Sequence, residues 1–168
     1  VTGAAIRSVK QSRRKKIDDM VRVLENGLVA YRTQENEWPF TATALVRDPK
    51  QFDRVPRYWA HTKDNYKVFE KMLMKMATQK VSYFDPSALL VRGGSLRDAI
   101  SNGRYNQPLG YPDPDDSNKF RYFCVEYNAL SDSIKVHWRN SPHRTHREGS
   151  LMNMQNDSFP CPDPEMAR

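Results

Sequence analysis

Residues 17–39, IDDMVRVLENGLVAYRTQENEWP, decide the fold. Ile17, Met20, Val21, Leu24, Leu28 and Tyr31 recur at three- and four-residue spacing with mostly polar residues between them. This is the pattern of a one-faced helix that must lie on something. Stop signals then gather. Asn36 tolerates the left-handed conformation that closes a helix, and Pro39 disfavours helical backbone at Trp38.

Upstream of Ile17 the stripe thins to Ile6 and Val9, and residues 10–16 contain no apolar side chain. A helix continued back to Val1 would be a rod about 50 Å long at about 1.5 Å per residue, packed only in its second half. The opening Val1-Thr2-Gly3 lacks the acidic first turn of an ordinary helix start, so the stretch reads as part of a longer helix. Residues 1–16 also hold Arg7, Lys10, Arg13, Arg14, Lys15 and Lys16 with no acid, which accounts for six of the formal net charge of +7. The rest of the chain is nearly neutral. Nucleic-acid affinity comes from many phosphate contacts spread over a face, whereas a cluster at one helix end suits anionic headgroups or a neighbouring subunit.

Downstream, residues 41–58 are turn-rich. A second helix is predicted over about residues 65–77, capped by Asp64, with Val68, Phe69, Met72, Leu73 and Met76 on one face. Gly93-Gly94 marks a turn and residues 103–117 read as loop. Residues 120–127 form a continuous aromatic and β-branched run, and Ile134, Val136 and Trp138 alternate with polar residues. The two runs predict an antiparallel hairpin across a loop at 128–133. The fold class is therefore α+β: a long N-terminal helix on a small C-terminal sheet, with a second helix between them. The expected organisation is a helix at 1–36 (shaft 1–16, packed part 17–36), a globular head at 37–140 and a Pro-rich tail at 141–168.

No nucleophile, base and orienting group combine into an enzyme site, and His61, His137, His143 and His146 show no convincing metal spacing, so the chain is not expected to be an enzyme. The carboxylates of Asp113, Asp115 and Asp116 are the candidate cation ligands, for calcium, against a plain acidic turn. In an oxidising compartment Cys124 and Cys161 would form a disulfide tethering the tail; otherwise Cys124 is a buried thiol.

The stretch Ala30-Tyr31-Arg32-Thr33-Gln34-Glu35-Asn36-Glu37-Trp38-Pro39 resembles the helix exit of type IV pilins and type II secretion pseudopilins. There an Ala-Tyr pair is followed by a polar turn with Gly and then an aromatic-Pro pair; here Asn36 stands at the Gly place and Trp38 at the Tyr. Leu109-Gly110-Tyr111-Pro112-Asp113, leading to the terminal hairpin, is similar to that family's Gly-Pro passage. The resemblance implies a structural subunit of a type IV pilus or secretion pseudopilus, serving adhesion or protein transport. It implies an inner-membrane anchor with a periplasmic head, or a place in a cell-surface filament. Its partners would be other pilin or pseudopilin subunits, the inner membrane and the inner-membrane assembly machinery. Arg7, Lys10, Arg13, Arg14, Lys15 and Lys16 would then make assembly or headgroup contacts, and Asp113, Asp115 and Asp116 would stand where major pseudopilins hold calcium. The alternative is a nucleic-acid-binding module that uses the same cations together with residues 135–139.

Overall fold

The computed structural model describes residues 2–40, 46–47, 57–61, 67–128 and 131–138. Helix α1 runs over Gly3–Glu35, 33 residues. Thr2 caps it, its hydroxyl accepting from the Ala5 N–H at 3.3 Å. It ends as the sequence indicates, at Asn36 in the left-handed conformation (φ 57°, ψ 24°), where Arg32 Nη1 donates to the Asn36 side-chain oxygen at 3.1 Å.

Beyond α1 come β1 (Val46–Arg47), β2 (Arg57–His61), α2 (Lys67–Thr78), a 3-10 turn (Pro86–Ala88), β3 (Leu90–Val91), β4 (Gly94–Ser95), α3 (Leu96–Ser101), β5 (Leu109–Pro112), β6 (Phe120–Tyr122), β7 (Cys124–Asn128) and β8 (Ser133–His137). The strands form two four-stranded sheets, in the orders β1-β2-β7-β8 and β4-β3-β5-β6. Every pairing is antiparallel.

The terminal hairpin is the one the alternation predicts, with Tyr127 opposite Ile134 and Val125 opposite Val136. Its first strand is shorter than predicted. The apolar run 120–127 is divided at Phe123, so β6 joins one sheet and β7 the other. Phe123 is fully buried at the crossing, its ring 5.0 Å from that of Tyr111. Residues 103–117, read as loop, contain β5. Gly110 lies within it because a Cβ there would come 2.2 Å from the Arg121 carbonyl oxygen and 2.4 Å from the Phe120 ring. The second helix lies where the methionine-rich face placed it, with Phe69, Met72 and Leu73 buried; the proposed cap Asp64 falls outside the described residues.

One core joins these elements. Ile17, Leu24, Leu28 and Tyr31 of α1 meet Phe69, Met72 and Leu73 of α2 and, from the two sheets, Val91, Leu109, Tyr111, Val125 and Val136. The ring of Phe84 lies against Gly27, where a Cβ would fall 2.3 Å from its Cδ1. Only a residue without a side chain permits that approach.

The expected Cys124–Cys161 disulfide is corrected: no disulfide bond is present among the described residues. Cys124 is part of the backbone ladder of β7, an interior strand paired with β2 and β8, opposite His61 and His137. Cys161 and the whole tail 141–168 lie outside the described residues. Among the described residues no helix is long and apolar enough to cross a membrane.

Candidate functional site

The feature that sets this chain apart is its basic shaft, and the structure shows how the shaft meets the body. The hairpin-like passage from β5 to β6 turns through Asp113, Pro114, Asp115 and Asp116. Asp113 is buried; one carboxylate oxygen accepts the Asp115 N–H at 2.8 Å and the other accepts from Arg121 Nε at 2.6 Å. Burial works to raise its pKa, but the Asp115 N–H and the Arg121 guanidinium outweigh it and hold the group below the usual range. Asp116 accepts the Asn118 N–H at 3.1 Å and stands 4.0 Å from the Lys119 ammonium.

This turn faces α1. Asp115 lies 3.3 Å from Arg14 and 3.8 Å from Lys10, while Arg13 donates to the Pro114 carbonyl at 3.4 Å. Two of the three carboxylates proposed for calcium are thus engaged in closing the turn, and the third is turned to the shaft. Among the described residues no group of three or more His, Cys, Asp or Glu side chains is arranged to hold a metal ion. The other three cations, Arg7, Lys15 and Lys16, are exposed and have no ion pair among the described residues.

Below the shaft, acids of α1 tie the helix to the terminal hairpin. Asp18 accepts from Trp138 Nε1 at 2.8 Å, and Glu25 accepts the Val136 N–H at 2.8 Å. Strand β8 is the edge of its sheet, so Glu25 satisfies a backbone donor that would otherwise face outward. Trp138 also packs edge-on against Tyr111 at 5.5 Å and is partly buried, so its ring is not a free stacking platform for a nucleobase.

At the helix exit the diagnostic residues come together. Tyr31 and Pro39 are buried. Trp38 Nε1 donates to Asp132 at 2.6 Å, Tyr127 donates its hydroxyl to the same carboxylate at 2.7 Å, and Arg32 adds a third bond at 3.1 Å. The Trp38 indole, the Tyr127 hydroxyl and Arg32 together hold Asp132 below the usual carboxylate range. Burial, with Asp132 beside it, pushes Tyr127 up to about 12. On the other side of the exit, Glu35 accepts from Lys75 and from Tyr83, both at 2.8 Å, and Glu37 pairs with Lys71.

No protein-family model, curated protein or solved structure matches the chain. The identity suggested by the helix exit, a type IV pilus or type II secretion protein, is therefore withdrawn. What stands is a pilin-like arrangement in the general sense, a long N-terminal helix packed on small antiparallel sheet structure. Sequence reasoning singled out the cations, the helix exit and the acidic turn, but missed Asp132, Asp18 and Glu25. Apart from Tyr127, five residues from Asp132 across the hairpin loop, their partners lie about a hundred residues away, and nothing in local sequence marks such a pairing.

Proposed function

We propose that the chain is the structural subunit of a filament built on the pilin-like plan, with α1 as its assembly element. The observation that carries this reading is the continuation of the buried stripe beyond the body. Ile6 lies eleven residues before Ile17, and Val9 eleven before Met20; eleven residues are about three turns, so each pair shares a face. Ile17 is 2% exposed, whereas Ile6 and Val9 are 47% and 50% exposed. The face that packs on the body thus reappears at Ile6 and Val9, beyond the acidic turn that meets it at Lys10, Arg13 and Arg14, with both side chains about half exposed. A second copy, its own helix laid alongside, would complete it, as helices pack at 8–10 Å by interdigitating such rows. Such an assembly would stand at the bacterial cell envelope.

The experiment is cross-linking in producing cells, in a Cys124→Ser, Cys161→Ser background. Val9→Cys with Val29→Cys gives two attachment points per helix and is expected to yield a ladder of multimers, while either single substitution yields no species beyond dimer. Monomer alone in the two-site variant contradicts the reading.

A further inference from the structure

We infer that residues 3–16 of α1 enter the major groove of duplex DNA. The six cations of residues 1–16 are clustered in sequence but spread around the helix. The buried Ile17 marks the inward direction. At about 100° per residue, Arg7 lies about 80° to one side of it and Lys16 about 100° to the other, so these two point in opposite directions. Lys15, about 160° from Ile17, points outward with Ser8, Gln11 and Ser12 around it. All of these side chains are exposed, and residues 3–16 contain no acid. Arg14 shares the direction of Arg7 to within about 20°, but it lies 3.3 Å from Asp115, with Lys10 at 3.8 Å, and Arg13 donates to the Pro114 carbonyl. The acidic turn thus holds the back of the shaft, and Arg7, about two turns beyond Arg14, supplies the charge on that flank.

A major groove about 12 Å wide has two walls of phosphate and a floor of base edges, and a helix with its side chains is about 10–12 Å across. Cations on opposite flanks reach both walls at once, whereas a flat anionic surface would meet only one of them. The outward side between Arg7 and Lys16 carries Ala4, Ala5, Ser8, Gln11, Ser12 and Lys15. These residues permit close approach to the floor, and the polar ones offer it donors and acceptors. A helix lying on a bilayer buries an apolar face between its cations; here nothing apolar larger than alanine lies there. Single-strand recognition needs aromatic rings, and residues 1–30 have none. The acid-free stretch spans about 20 Å of helix and ends at Asp18 and Asp19, which limits how far along α1 the duplex reaches. With about two wall phosphates neutralised, binding is weak and non-specific, on the order of 10⁻⁴ M at physiological salt.

The test is fluorescence anisotropy of a labelled DNA duplex titrated with the full chain at salt between about 0.05 and 0.2 M. Arg7→Gln/Lys16→Gln is expected to flatten the slope of log affinity against log salt by about 1.8, about 0.9 for each wall contact, and to weaken binding at least about tenfold at the lower salt. Ser8→Leu/Ser12→Leu leaves the charge unchanged and is expected to weaken binding about as much, because bulk on the outward side keeps the helix off the floor. Duplex RNA, whose major groove is too deep and narrow to be entered, should bind at least about tenfold more weakly than the DNA. All four positions are exposed, and unchanged denaturation midpoints verify that both variants fold. Wild-type affinity in the leucine variant, or equal binding to duplex RNA, overturns the groove. A wild-type slope in Arg7→Gln/Lys16→Gln overturns the wall contacts. Absence of binding by the unmodified chain at the lower salt, or tighter binding to anionic vesicles than to the duplex, overturns the nucleic acid itself. The inference goes beyond the assembly reading and fails separately from it: multimer ladders depend on Ile6 and Val9, both within about 80° of the inward direction, and duplex binding on the side opposite Ile17.

Discussion

Leu24 and Val9 belong to the same helix, yet Leu24 is fully buried and Val9 half-exposed. Residues 17–35 are held by apolar area and by acids that reach across to the body: Asp18 to Trp138 and Glu25 to Val136 at the terminal hairpin, and Glu35 to Tyr83 in the segment after α2. The polar ties of residues 3–16 to the described body are Lys10, Arg13 and Arg14 at the acidic turn. Ion pairs between side chains this exposed are worth about 0–1 kcal/mol. The difference teaches that one continuous helix combines a folding element and a presented element, each with its own residue chemistry.

The strongest way to break the comparison is truncation of the stripe. Leu24→Ala or Leu28→Ala is expected to cost about 2–5 kcal/mol, and Val9→Ala to stay within about 0.5 kcal/mol, as read by urea denaturation. Similar costs at Leu24 and Val9 would mean that the shaft, too, is buried. Next is Gly27→Ala. Overpacking against Phe84 costs about 1–3 kcal/mol and outweighs the gain in helix propensity; adding Phe84→Leu should restore part of the loss. Asp132→Ala comes third. It removes the acceptor shared by Trp38, Tyr127 and Arg32, at about 1 kcal/mol given its exposure, and should change Trp fluorescence without unfolding the chain.

A smaller effect separates the two roles of the acidic turn. The folded-state pKa of Asp113 is depressed, so its contribution is present above the ordinary Asp value and is lost as pH falls through the folded value. Asp113→Asn should therefore flatten the acid side of the stability curve below about pH 4. Asp115→Asn, at an exposed position, should leave that curve nearly unchanged. Equal flattening by both would show that the shaft contact contributes to global folding.

The parts of the fold legible in the sequence were those with many residues repeating one signal. The stripe Ile17 to Tyr31, the stop at Asn36, the apolar face of α2 and the alternation in β8 are local patterns several residues long. Strands β3 and β4 have two residues each, and α3 has six. Such elements are fixed by pairing and burial, not by propensity, and periodicity cannot report them. The division of the run 120–127 at Phe123 has the same origin: an apolar sequence fits either sheet, and the core decides where it changes hands. In the candidate site, the charge of the shaft was visible, but the inward assignment of Lys10, Arg13 and Arg14 was not, because their partners Pro114 and Asp115 are about a hundred residues away.

The most direct measurement is amide hydrogen exchange along α1. The account predicts that amides of residues 20–35 exchange only through global unfolding, while those of residues 7–12 exchange at least about tenfold faster through local opening, and that Asp115→Asn extends the fast zone toward Lys16. Uniform protection from Arg7 to Glu35 in the monomer would contradict the division of the helix into a packed half and a presented one.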